Sequence, residues 1–317
     1  MQQLRVRPFP RKIWQVWRDD SEDPTERTVG FPRAWRAANP EHRYERLTDA
    51  NVDTWAQAQW STGSSPGEND KAVDLFVELN DPILRADFLR YLIMVREGGV
   101  WADIDVYPHQ PIASWLPEGF REREDLDEDG EGRGNATAVV NLVVGIENDH
   151  NGNPIWPGVP YSVQLAQYVI LAKPGHPALL ALLDQVYDNL RALIESNNAQ
   201  KRQQTQAHNE TAVATAALEG LGVDRRSPAI TFEQVMATTG PFAFTRALME
   251  YFEQVTGIVH NGDELGGLRD PVLIGDVLVL PKDSFGWLPH DHTHEKGHSS
   301  ILVEHLFMGS WRDTHAG

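Results

Sequence analysis

Two aspartates one residue apart, Asp103 and Asp105, interrupt the apolar run "VWADIDVYP". On a strand, residues two apart share a face, with Cα atoms about 6 to 7 Å apart. Two ionised carboxylates held that close in an apolar setting repel, and one takes up a proton unless a cation sits beside them. A divalent cation relieves that repulsion. Magnesium and manganese both favour oxygen ligands, and magnesium recruits substrate phosphates. An Asp-x-Asp at a strand end followed by Pro108 therefore suits a metal–diphosphate complex, although the tripeptide is also compatible with a plain acidic strand end in solvent. Just upstream, Asp87 and Arg90 in "RADFLRY" lie three apart on one helical face and both break an apolar pattern. Such residues either pair with each other at the surface or meet hydroxyl groups of a ligand held at the aspartates.

The elements around these residues follow from periodicity. From Asp74 to Glu97, Leu75, Phe76, Leu79, Ile83, Leu84, Phe88, Leu92 and Val95 recur at three and four, the helical period. Pro82 divides this stretch into two helices, the second capped near Asp81 and ended by Gly98-Gly99. The chain then enters a strand in which Ala102, Ile104 and Val106 face one way, and Asp103 and Asp105 the other. "RKIWQVW" reads as a first buried strand, and "FPRAWRAANPEHRYERLT" as a short helix, a turn and a strand holding Tyr44. "AVVNLVVGIE" and "GDVLVLPKDSFGW" are further strands, while "SVQLAQYVILAKPGHPALLALLDQVYDNLRALIES" reads as mainly helical, broken at Pro174. "NNAQKRQQTQAHNET" reads as a loop or an exposed helix end, and a helix follows Thr239-Gly240-Pro241. Alternating strands and helices predict an α/β fold with a mostly parallel central sheet flanked by helices, a single domain over residues 1–317.

Composition narrows the class. With 28 basic and 46 acidic residues the chain carries a net charge of −18, which argues against a nucleic-acid partner. Much of the acid lies in a loop at about 118–135. Without cysteine there is no disulfide framework, zinc knuckle or thiol nucleophile. No run approaches the roughly 18 apolar residues of a membrane span, and "MQQLRVRPFP" lacks the apolar core of a signal peptide, so the chain as given is expected to be soluble. Sequons at Asn135 and Asn209 sit in polar stretches that look like surface loops.

The arrangement "RADFLRY…EGGVWADIDVYP" resembles the Asp-x-Asp signature of family 32 glycosyltransferases. The likeness extends through "PRKIWQVW", "NLVVGIE", "AKPGHPALL", "TTGPFAFT", "GDVLVLP" and "EHLFMGSW", blocks spread over nearly the whole chain. Within that family the chain looks most like the fungal Golgi branch that initiates the outer chain of N-glycans with an α-1,6-linked mannose. The resemblance implies a GT-A fold binding a nucleotide sugar at the carboxyl ends of its central strands, with GDP-mannose as donor, Mn²⁺ as metal and a core N-glycan as acceptor. It also implies a Golgi-luminal type II protein whose N-terminal membrane anchor is not in this chain.

By the same resemblance Asp105 is a direct metal ligand, and Asp103 reaches the ribose and the metal's water shell. Asp87 and Arg90 match positions that hydrogen-bond the donor sugar. Trp17 matches a residue packing on the nucleobase, though an ordinary core tryptophan reads the same way. Gly240, followed by Pro241, would let backbone approach the donor closely. His305 is the candidate for a further metal ligand and Trp311 for a diphosphate contact, both brought by a C-terminal segment of about 286–317 that closes the donor site; a structural histidine remains the alternative. His290, His292, His294 and His298 in "HDHTHEKGH" suit zinc or nickel better than the hard cation a diphosphate needs, and read as a solvated loop. Retention of configuration would follow from attack by the acceptor hydroxyl on the face the diphosphate leaves, the phosphate oxygen taking the proton, so no general base is assigned. The alternatives are a relative acting on a lipid or on elongating mannan, one using another donor sugar, or a catalytically silent glycan-binding homologue.

Overall fold

In a computed structural model, the described residues are 8–61, 68–120, 139–150, 152–154, 160–215, 230–286 and 301–309. The first strand, β1 (Lys12–Val16), leads through α1 (Phe31–Ala38) to β2 (Arg43–Leu47), which pairs parallel with it. Three helices follow, α2 (Val52–Ser61), α3 (Glu68–Glu78) and α4 (Pro82–Arg96), and then β3 (Gly99–Ala102) and β4 (Val106–Pro108). The rest runs β5 (Leu142–Asp149), β6 (Val163–Leu165), β7 (Val169–Ala172), α5 (Pro177–Thr215), α6 (Phe232–Thr238), α7 (Pro241–Thr256), β8 (Val272–Ile274), β9 (Val277–Leu280), α8 (Lys282–Phe285) and β10 (Val303–His305).

The main sheet has the order β2-β1-β3-β7-β5-β9-β8, with β6 paired to β5 off that path. Strands β2, β1, β3, β5 and β9 run one way and β7, β6 and β8 the other, so the expected mostly parallel sheet is present with antiparallel insertions. Both faces of its centre are covered. On β3, Trp101 joins the core formed with α4, α5 and α7, while Val100 and Ala102 join the opposite core around Trp35, Trp115 and Phe285. Strand β7 splits likewise, Ile170 and Ala172 to one side and Val169 and Leu171 to the other.

That double burial explains one correction. The stretch from Ser162 to Ala172 is not helical: it contains β6 and β7, and helix begins only at Pro177. A strand buried on both faces is a continuous apolar run, without the alternation that separates it from a helix. The polar stretch after it continues α5 to Thr215, so the backbone at Asn209 is helical rather than a loop. Residues 121–135 of the expected acidic loop, Asn135 among them, and the histidines at 290–298 lie outside the described residues.

The α4–β3 connection forms as its residues dictate. Asp81 caps α4, accepting from the backbone N–H of Ile83 (3.1 Å) and Leu84 (3.3 Å), an arrangement worth about 1 kcal/mol. Arg85 donates to the carbonyls of Phe76 (3.0 Å) and Leu79 (2.9 Å), tying α4 to the end of α3. Beyond Arg96 the chain reverses through Gly98 and Gly99 at φ of +62° and +89°. A Cβ on Gly99 would lie 2.6 Å from the Lys12 carbonyl oxygen. Only glycine allows both the left-handed backbone and this approach, and β3 thereby enters the sheet between β1 and β7.

Candidate functional site

The two aspartates do not lie on one straight strand. Strand β3 ends at Ala102 and the chain turns, Val106 N donating to the Asp103 carbonyl at 3.0 Å. The carboxylates therefore converge because of a turn at the carboxyl end of β3, not because of alternation along a strand. The turn itself is braced: Asp103 N donates to Tyr168 O (2.8 Å), and Gln15 Nε2 to Asp103 O (3.0 Å).

Asp103 belongs to a buried ionic chain. Its Oδ1 and Oδ2 accept from Arg90 Nη2 at 2.7 and 3.0 Å, and Oδ1 also accepts from Trp101 Nε1 at 2.6 Å. Arg90 Nη1 reaches Asp87 Oδ1 at 2.6 Å, and Asp87 also accepts from Thr239 Oγ1 (2.9 Å) and Gln167 Nε2 (3.3 Å). Asp87 and Arg90 do pair with each other, but both are buried rather than at the surface. Burial pushes the Asp87 carboxyl up to about 6 against the pull of Arg90. Burial acts to lower the Arg90 guanidinium, yet the carboxylates of Asp103 and Asp87 outweigh it and hold the cation charged.

Asp105 is held from the opposite direction by the C-terminal segment. Strand β10 pairs antiparallel with β4, setting His305 opposite Val106. His305 Nε2 meets Asp105 Oδ1 at 3.1 Å, Met308 N donates to Oδ2 at 3.0 Å, and Leu306 N donates to the Asp105 carbonyl at 3.0 Å. Phe307, between those two donors, adopts φ +46°, a left-handed conformation uncommon outside glycine. Burial alone would raise the Asp105 carboxyl, but His305 and the Met308 N–H more than offset it and hold it below its ordinary value. Ligand atoms of Asp103, Asp105 and His305 lie within 4.8 Å of one another. The other imidazole nitrogen, His305 Nδ1, is buried with no hydrogen-bond partner among the described residues. Two carboxylates and an imidazole, one of whose ring nitrogens is orphaned, form a donor set that fits a divalent cation such as manganese.

These groups share a cavity of about 430 Å³. Trp17 and Arg18 line one part of it, and Asp87, Arg90, Gly240 and Pro241 another. Of the residues expected to hold the donor or the metal, all but Trp311, which lies outside the described residues, border this space. Gly240 is required for a further reason: a Cβ there would stand 2.8 Å from Met236 Cα, so glycine lets α7 start against α6. Sequence reasoning missed Glu147, Gln167 and Tyr168, which also line the cavity. Gln167 and Tyr168 lead into β7, which the sequence disguises as helix.

Residues 25–121 match the family described as "Glycosyltransferase sugar-binding region containing DXD motif". The chain is 29% identical over 310 residues to the initiation-specific alpha-1,6-mannosyltransferase of Schizosaccharomyces pombe, covering 96% of this chain and 64% of that protein. It is 26% identical to the initiation-specific alpha-1,6-mannosyltransferase of Candida albicans, covering 97% of this chain and 73% of that one. It thus spans just under two thirds of the fission-yeast relative's length. Among solved structures, the PaToxG glycosyltransferase aligns over 81% of this chain and 75% of its own at 14% identity, with a TM-score of 0.44, a loose likeness in overall path. Asp103 and Asp105, the Asp-x-Asp pair of this cavity, lie within the matched residues.

Proposed function

We propose that the protein transfers mannose from GDP-mannose to a core N-glycan in α-1,6 linkage, with retention of configuration and with a divalent metal, as an enzyme of the Golgi lumen. The observation that carries this reading is the gathering of Asp103, Asp105 and His305 at a cavity that also holds Trp17 and the Asp87–Arg90 pair. The similarity to fungal alpha-1,6-mannosyltransferases supports the sugar and the linkage.

Asp105 and His305 would hold the cation, and Asp103, already fixed by Arg90 and Trp101, would receive the ribose and the cation's water shell. When bound, the cation supplies compensation for the negative charge of a departing diphosphate. Trp17 offers its indole face to the base. Asp87, locked by Thr239 and Gln167, and Arg90, locked by Asp87 and Asp103, turn toward the donor sugar, so little ordering is required on binding. Tyr168, Phe307 and Met308 exclude water from the wall beside Asp105. The acceptor hydroxyl attacks from the face the diphosphate leaves, and the leaving phosphate oxygen takes its proton.

Incubating the protein with GDP-mannose, Mn²⁺ and a core high-mannose glycan, followed by linkage analysis, tests the reading. An added α-1,6-linked mannose is the expected product. Mannosylation of a lipid alone would overturn the acceptor, and transfer only from a different nucleotide sugar would overturn the donor.

A further inference from the structure

Glu147 is a cavity-lining carboxylate on the far side of Asp103 and Asp105 from Trp17. Glu147 lies near the carboxyl end of β5, half-buried, and its Oε2 accepts from Gln164 Nε2 at 2.9 Å. Gln164 belongs to β6 and is only 3% exposed, so the group that orients Glu147 is fixed by the fold.

Sheet order sets where Glu147 stands. Along the carboxyl edge the cavity-lining residues form a row: Asp49 after β2, Trp17 and Arg18 after β1, Asp103 and Asp105 after β3, Gln167 and Tyr168 entering the antiparallel β7, and Glu147 on β5. Adjacent strands are about 4.8 Å apart, so Glu147 stands roughly 10 Å of sheet beyond the β3 strand and on the side away from Trp17. Between them stands Tyr168, its ring 4.0 Å from that of His305 and its hydroxyl donating to Phe285 O at 2.7 Å.

A nucleotide sugar with its base at Trp17 and its diphosphate at Asp105 fills the near half of this row and leaves the Glu147 end open to the second substrate. Glu147 is also ill-suited to the diphosphate, which shares its sign, and well suited to sugar hydroxyls, because a carboxylate offers only acceptors. We propose that Glu147, oriented by Gln164, forms the acceptor subsite and receives hydrogen bonds from hydroxyls of an incoming neutral sugar. The proposal rests on the donor placement given under Proposed function.

Two measurements separate them. Saturation-transfer NMR on the metal-free protein with methyl α-mannoside as the probe reports the Glu147 end through the difference between the wild type and Glu147→Gln. Calorimetry with GDP-mannose and Mn²⁺ reports the donor end alone. Glu147→Gln is expected to weaken the mannoside about tenfold or more, the usual consequence of losing a hydrogen bond to a charged group, while GDP-mannose affinity stays at the wild-type level. In turnover, KM for the glycan should rise with metal-dependent GDP-mannose hydrolysis unaltered. If Glu147→Ala no longer unfolds cooperatively, Glu147→Gln, which keeps the side-chain volume, carries the test. Unchanged mannoside binding in Glu147→Gln, or a loss of GDP-mannose affinity in its place, overturns the proposal. Failure of the wild type to bind GDP-mannose overturns the donor reading, and the mannoside result then still decides Glu147.

Discussion

Two histidine–aspartate pairs sit at opposite edges of the same sheet. His176 meets Asp276 at 3.2 Å just before β9, and His305 meets Asp105 at 3.1 Å just after β3. In the first pair both partners are engaged. His176 Nδ1 accepts from Ala178 N at 3.2 Å, and Asp276 accepts from Tyr251 (2.6 Å) and Asn141 (2.6 Å). This pair pins the start of α5 and the end of α7 to the edge of β9. In the second pair one imidazole nitrogen is buried without a partner among the described residues, a second carboxylate stands within reach, and a cavity opens beside both. Identical chemistry at nearly the same distance thus serves structure where both ring nitrogens and both carboxylate oxygens are engaged, and points to a ligand where a ring nitrogen is not.

Substitutions at the two ends should separate accordingly. Asp105→Asn is expected to lower metal-dependent transfer about a thousandfold, or about 4 kcal/mol in the barrier, with little change in unfolding. Steady-state rates and a denaturant titration check both halves. Arg90→Met leaves the buried Asp87 and the half-buried Asp103 without their shared cation, and should cost about 3 kcal/mol of stability, read as a shift in the urea midpoint. A wild-type midpoint would mean that the buried chain contributes nothing to the site's rigidity.

Asp276→Asn should cost about 2 kcal/mol and leave turnover intact. Burial acts to raise the Asp276 carboxyl, but hydrogen bonds from His176, Tyr251 and Asn141 prevail and hold it well below its ordinary value. Its contribution is therefore present above the ordinary carboxylate value and lost as pH falls below about 4. Melting curves of the Asp276→Asn variant should accordingly converge on those of the wild type in acid. A gap that widened there would contradict the assignment.

The sequence makes the aspartate of the second pair legible and neither member of the first. Asp103 and Asp105 stand out because two charges interrupt an apolar run, and Gly98-Gly99 announces the reversal that brings Asp87 and Arg90 to them. His305 enters only through the resemblance, since nothing local marks it; its partner lies 200 residues away. His176 sits in an ordinary helix start, and Asp276 in a two-residue turn between β8 and β9, with no pattern linking them. The turn at Asp103–Asp105 is hidden because apolar alternation continues through it, Ala102, Ile104 and Val106 all being buried. With β7 read as helix, Gln167 and Tyr168 cannot be set beside β3, and Glu147 looks like the polar end of an isolated strand.

The most direct test is a calorimetric titration of Mn²⁺ in the presence of GDP on the wild type and on Asp105→Asn, His305→Ala and Asp276→Asn. The wild type and Asp276→Asn should show the same saturable binding, His305→Ala a loss of about 10- to 100-fold, and Asp105→Asn none. Wild-type Mn²⁺ affinity in Asp105→Asn would contradict the assignment of the metal to this edge of the sheet.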